Sequence, residues 1–99
     1  MQTQIKVKEK PVKIKVRGTL KSRILDFCMD ELDYHINESG CADEYHDEIL
    51  AQIELLCLLG QRNQARMYKN AYDHVLQDNT ETRKMRKQLE KLWRRVGAV

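Results

Sequence analysis

Proline occurs once in this 99-residue chain and glycine four times, so sharp turns are few and the elements between them must be long. Cysteine occurs three times, an odd number with no pair at Cys-x-x-Cys spacing. That argues against a disulfide framework and against a closed zinc site, and it suits a reduced compartment. The longest strongly apolar run, Leu55-Leu56-Cys57-Leu58-Leu59, is far too short to cross a bilayer. No apolar stretch lies near the N-terminus, so no secretory leader is expected and a cytoplasmic location is. The chain also lacks a Gly-x-Ser-x-Gly elbow, a phosphate-binding P-loop and a His-Glu-x-x-His pair. No enzyme, cofactor, metal site or membrane span is therefore expected. Internal repeats and low-complexity linkers are missing too.

What is present is a segregation of charge. No lysine or arginine falls between residues 24 and 61, and ten of the fifteen acids do. The first 23 residues hold eight basic groups and one acid, and the last 38 hold ten basic groups and four acids. The chain reads basic, acidic, basic beneath a net charge of only +3. Blocks of one sign speak of partners more than of fold.

The residue pattern predicts a mainly α protein: one helical domain over residues 19–99 with a short basic β-hairpin or strand arm over 1–18. In the arm Ile5, Val7, Val12, Ile14 and Val16 alternate with Lys6, Lys8, Lys13, Lys15 and Arg17, the period of a half-buried strand. Lys8-Glu9-Lys10-Pro11 supplies the turn. From Thr19, a candidate cap, the period becomes helical. Helices are predicted at about 19–37, 43–59, 62–76 and 80–95. The first turns in Leu20, Ile24, Leu25, Cys28, Met29, Leu32, His35 and Ile36, and Asn37-Glu38-Ser39-Gly40 ends it. The second turns in Tyr45, Ile49, Leu50, Ile53, Leu56 and Cys57. Leu55, Leu58 and Leu59 make its end apolar nearly all round, which implies burial inside the fold or in an oligomer contact. The third offers Ala65, Tyr68, Ala71, Tyr72, Val75 and Leu76. Asp78 and Glu81 have capping-box spacing before the fourth, whose stripe is Met85, Leu89, Leu92, Trp93 and Val96. The predicted core is Ile24, Cys28, Leu32, Ile49, Ile53, Leu56, Tyr68, Tyr72, Leu89 and Leu92.

Few residues suggest chemistry. Asp43, Glu44, Asp47 and Glu48 surround His46, and Cys28, His35 and Cys41 complete a set of zinc-type ligands. The simpler reading is preferred. Acids in a first helical turn meet the positive end of the helix dipole, and cysteine on an apolar face behaves as a small hydrophobe. His35, on a core-facing side, is expected to be a satisfied polar group. Cys41 and His46 are the only nucleophile and base near each other in sequence. The basic blocks carry more weight. The arm's cations project from one face of the hairpin, and those of the fourth helix are expected to spread around it. Pairing with the chain's own acidic middle would absorb some of this charge.

Two resemblances follow the order of elements. Residues 12–59 resemble a ribbon-helix-helix DNA-binding protein: the strand Val12-Lys13-Ile14-Lys15-Val16, a helix, a glycine-containing turn and a second helix. The resemblance implies strands paired across a dimer, with Lys13, Lys15 and Arg17 reading the major groove. Here the second helix opens on Asp43 and Glu44, where that family sets a helix N-terminus against phosphate, and two more helices follow. Residues 58–79 resemble one tetratricopeptide-type hairpin in Leu59-Gly60 and in Ala65, Tyr68 and Ala71. One such unit cannot bury its own faces, so it implies only hairpin packing. The chain is assigned to neither family.

The expected activity is binding. The chain reads as a small regulator or inhibitor, of phage or mobile-element kind by its size, that docks on a larger protein such as a host nucleic-acid-processing protein. The expected contact residues are Lys6, Lys8, Lys13, Lys15 and Arg17 on the arm, Leu55, Leu58 and Leu59 on the second helix, and Arg86, Trp93 and Arg94 on the fourth. The alternative is a transcriptional regulator of ribbon-helix-helix type that binds nucleic acid through its basic N-terminal strand. A homodimer is a further partner state.

Overall fold

A computed structural model describes residues 18–76 and 79–96. The predicted strand arm, with Lys6, Lys8, Lys13, Lys15 and Arg17, lies outside the described residues, as does Asp78. The described part is mainly helical. Helix α1 (Gly18–Asp33) runs on into a π-helical turn, Tyr34–Glu38. A 3-10 turn, Ala42–Tyr45, leads into α2 (His46–Leu58), followed by α3 (Arg62–Val75) and α4 (Thr80–Val96). Among the described residues there is no strand. Thr19 lies inside the first turn of α1 rather than capping it.

Helix α2 is the axis of the fold and packs against α1, α3 and α4. That position is why its apolar residues extend nearly all the way round. Ile49, Ile53, Leu56 and Cys57 are buried with Cys28 and Leu32 of α1, Ala65, Tyr68 and Tyr72 of α3, and Leu89, Leu92 and Val96 of α4. Of the ten predicted core residues only Ile24 is merely half-buried. The two registers with α4 are opposite. Asp73 pairs with Arg86 and Lys69 with Glu90, so α3 and α4 run antiparallel. His46 meets Gln88 and Glu54 meets Arg95, so α2 and α4 run parallel.

The helix ends follow from local chemistry. The N–H of Gln61 donates to the Leu56 carbonyl (2.8 Å) and that of Gly60 to the Cys57 carbonyl (3.0 Å), with Gly60 at φ 85°. This pair of bonds satisfies two carbonyls that the end of α2 would otherwise leave open, and it requires the left-handed backbone that glycine allows. The start of α4 is closed by a reciprocal pair. The Thr82 N–H donates to Asn79 Oδ1 (3.0 Å) and the Asn79 N–H to Thr82 Oγ1 (2.9 Å). The cap therefore falls one residue later than the Asp78–Glu81 spacing suggested, with threonine in the place usually taken by glutamate.

Two residues predicted to face inward are exposed. Leu20 is 45 % exposed because α1 meets the core only from Ile24 onward, leaving its first turn free of cover. Val75 is 39 % exposed at the last turn of α3, where it borders an open cleft beside the π-helical turn.

Candidate functional site

The acidic start of the second helix places its charges and its histidine on different sides. Asp43, Glu44, Asp47 and Glu48 are exposed, whereas His46 is buried. The His46 Nε2 lies 2.7 Å from Gln88 Oε1 and its Nδ1 lies 2.6 Å from the Tyr72 hydroxyl. A carboxamide oxygen only accepts, so Nε2 carries the proton and the Tyr72 hydroxyl donates to Nδ1. Burial, followed by the nearby Asp43 and Asp47, pushes the Tyr72 hydroxyl far up, which keeps it a donor. The chain Tyr72–His46–Gln88 thus ties α3, α2 and α4 together and consumes both nitrogens of the ring. No group of three or more metal-binding side chains occurs among the described residues.

His35 is also buried, but only half satisfied. Its Nε2 lies 3.3 Å from Glu31 Oε1 while its Nδ1 has no partner among the described residues. Its ring stacks on Tyr45 at 4.1 Å, and Tyr34 meets Tyr45 edge-on at 6.1 Å. The π-helical turn and the 3-10 turn are thereby joined by aromatic packing. Burial pushes the thiols of Cys28 and Cys57 up, away from the reactive thiolate.

The remaining candidate surface is α4. Its cations do not spread around the helix. Lys84, Lys87, Lys91 and Arg94 follow one another at intervals of three, four and three residues and are all exposed. They form one outward stripe about 15 Å long, at 1.5 Å of rise per residue. None of the four has an ion-pair partner among the described residues. The other basic residues of this helix have structural contacts. Arg86 is half-buried, and its Nη2 donates to the Leu76 carbonyl at 2.6 Å and the Asp73 carbonyl at 3.3 Å. Its Nε pairs with Asp73 Oδ1 at 3.2 Å, so this guanidinium closes the end of α3. Arg95 forms a two-pronged pair with Glu54. Trp93 is half-buried against the core, with the Lys69 ammonium 5.9 Å from its ring centre.

Beside the stripe a groove of about 440 Å³ runs between α2 and α4, with Asp47 and Glu54 on one wall and Lys91 and Arg95 on the other. At the apolar end of α2, Leu59 is buried and Leu55 and Leu58 are half-buried. Of the contact residues read from the sequence, Arg94 alone joins the exposed stripe. Lys84, Lys87 and Lys91 were expected among cations spread round the helix, whereas their spacing opposite Leu89 and Leu92 sets them on one side.

No helix among the described residues is long and apolar enough to cross a membrane. No family model matches the chain, and no curated protein or solved structure is significantly similar to it.

Proposed function

We propose that the protein is a small non-enzymatic regulator that acts by docking on a larger protein through the outer face of α4. The observation that carries this reading is the stripe of Lys84, Lys87, Lys91 and Arg94, four exposed cations with no acid paired to them among the described residues. Unpaired charge of one sign on a rigid helix steers an anionic partner and fixes its orientation. The groove alongside favours an acidic protein over a nucleic acid. Asp47 would face phosphates at close range, whereas a polypeptide can set charges of both signs against both walls. His46, buried between α2, α3 and α4, is already committed to Tyr72 and Gln88.

Affinity capture with the tagged chain from a cell lysate, with and without nuclease, tests the reading. A specific protein retained after nuclease treatment is expected. Capture that disappears with nuclease, or bound DNA or RNA with a steep salt dependence, would move the assignment to a nucleic-acid-binding regulator.

A further inference from the structure

The outward side of α1 carries a pattern that neither the core nor the basic stripe explains. Phe27 is 62 % exposed, Leu20 45 % and Tyr34, which opens the π-helical turn with one ring edge against Tyr45, 47 %, the three most exposed large hydrophobic residues outside α3 among the described residues. They lie seven residues apart, so they fall on one line along the helix, with half-buried Ile24 between them. The line is about 21 Å long at 1.5 Å per residue. Its direction is away from Cys28 and Leu32, which face the core. Beside it lie Arg23 and Asp30, both exposed, and neither has an ion-pair partner among the described residues.

The pattern is self-complementary about its centre. If a second α1 lies antiparallel across the first with a two-fold axis at Phe27, Phe27 meets its own copy. Leu20, seven residues before, faces Tyr34, seven residues after. Arg23 then stands beside Asp30 of the other chain, on the same flank of the seam, and the symmetry repeats that pair. A parallel pair would instead put the two Arg23 side chains on opposite flanks of the seam, and the two Asp30 likewise, so the Arg23–Asp30 pairing would be lost. We propose that α1 is a homodimer surface, occupied by a second copy of this chain in an antiparallel helix pair centred on Phe27. The surface is isologous, as a two-fold contact must be. It is separate from the apolar end of α2, where Leu59 is buried and Leu55 and Leu58 are half-buried. A single helix-on-helix seam is small for a protein interface, so the dimer should be weak and concentration-dependent.

Sedimentation velocity of the full chain, run over a concentration series at low salt, reads this directly. The expected result is a shift from 11.8 kDa toward twice that mass as concentration rises. Phe27→Asp should weaken association by at least about 100-fold, and circular dichroism should stay unchanged because the side chain is mostly exposed. Arg23→Asp and Asp30→Arg should each weaken it, and the two together in one chain should restore it, since the pair is rebuilt with its signs exchanged. The proposal is overturned by a chain that stays monomeric up to about 1 mM, the affinity range of the weakest specific contacts. A dimer indifferent to Phe27→Asp, or a double variant no better than the singles, overturns it equally.

Discussion

Helices α1 and α4 have nearly the same length, 16 and 17 residues, and both lie on α2, yet their outer sides are opposites. The outer side of α4 is a row of cations, and every apolar residue that the helix owns turns inward. The outer side of α1 is a row of large apolar groups, while a second apolar set, Cys28 and Leu32, makes the core contact. The fold needs only the inner sides. A solvent-facing stripe of either kind contributes little to stability, so what keeps it in the chain is better sought in what it touches outside the molecule.

Both helices depend on the same support in the core. Leu56 is fully buried in α2 beneath its neighbours. Leu56→Ala should cost about 2–5 kcal/mol by leaving a cavity, and chemical denaturation should show one cooperative transition shifted to lower denaturant. Substituting His46 separates the helices. His46→Ala leaves the buried Tyr72 hydroxyl without its acceptor and frees Gln88 of α4, and it should cost about 1–3 kcal/mol. Amide exchange should then speed up in α4 more than in α1, because α1 takes no part in that chain of bonds.

Gly60→Ala is a control that touches neither outer face. A Cβ there meets nothing within 4 Å, so the only penalty is the left-handed backbone at φ 85°. The expected cost is about 1–2 kcal/mol, read from the melting midpoint.

A smaller, pH-dependent effect belongs to α1. The Tyr68 hydroxyl of α3 donates to the Met29 carbonyl of α1 at 3.4 Å. Burial, then the nearby Asp33 and Asp30, pushes the Tyr68 hydroxyl up to about 12 from its ordinary 10. The folded state therefore holds this proton more tightly than the unfolded chain. The stability it represents is complete below pH 10 and is lost as pH rises toward 12. Stability measured by denaturant titration should be insensitive to this group below that window and should fall within it. Tyr68→Phe should make the fall shallower, with Tyr72 and Tyr45, whose hydroxyls are also pushed up, contributing to the remainder.

The two outer faces were unequally legible in the sequence. In α4 the apolar positions Met85, Leu89, Leu92 and Val96 keep one helical period, so the core side could be read and the cations opposite could have been. In α1 apolar residues fall on both sides of the helix. One broad inward face drawn from Leu20 to Ile36 places Leu20 inside and gives Phe27 no role. Periodicity shows that a helix has apolar residues but not which of two apolar sides meets the core; that depends on where α2 crosses. The same limit applies to the polar groups. The acidic run around His46 looked like one cluster in sequence, but the switch from 3-10 turn to α-helix at residue 46 sends the ring inward and leaves the acids outside. Arg86 resembled its basic neighbours and differs only because its position beneath the end of α3 brings the Leu76 carbonyl within reach.

The most direct test of the account is a single comparison, made in nuclease-treated lysate, between the native chain and one carrying Lys84→Glu, Lys87→Glu, Lys91→Glu and Arg94→Glu. The variant should keep its melting temperature to within the scatter of surface substitutions, about 0.5 kcal/mol per site, because none of the four side chains supports the fold. It should lose the protein that the native chain captures. A folded variant that still captures that protein would contradict the assignment of function to the outer face of α4.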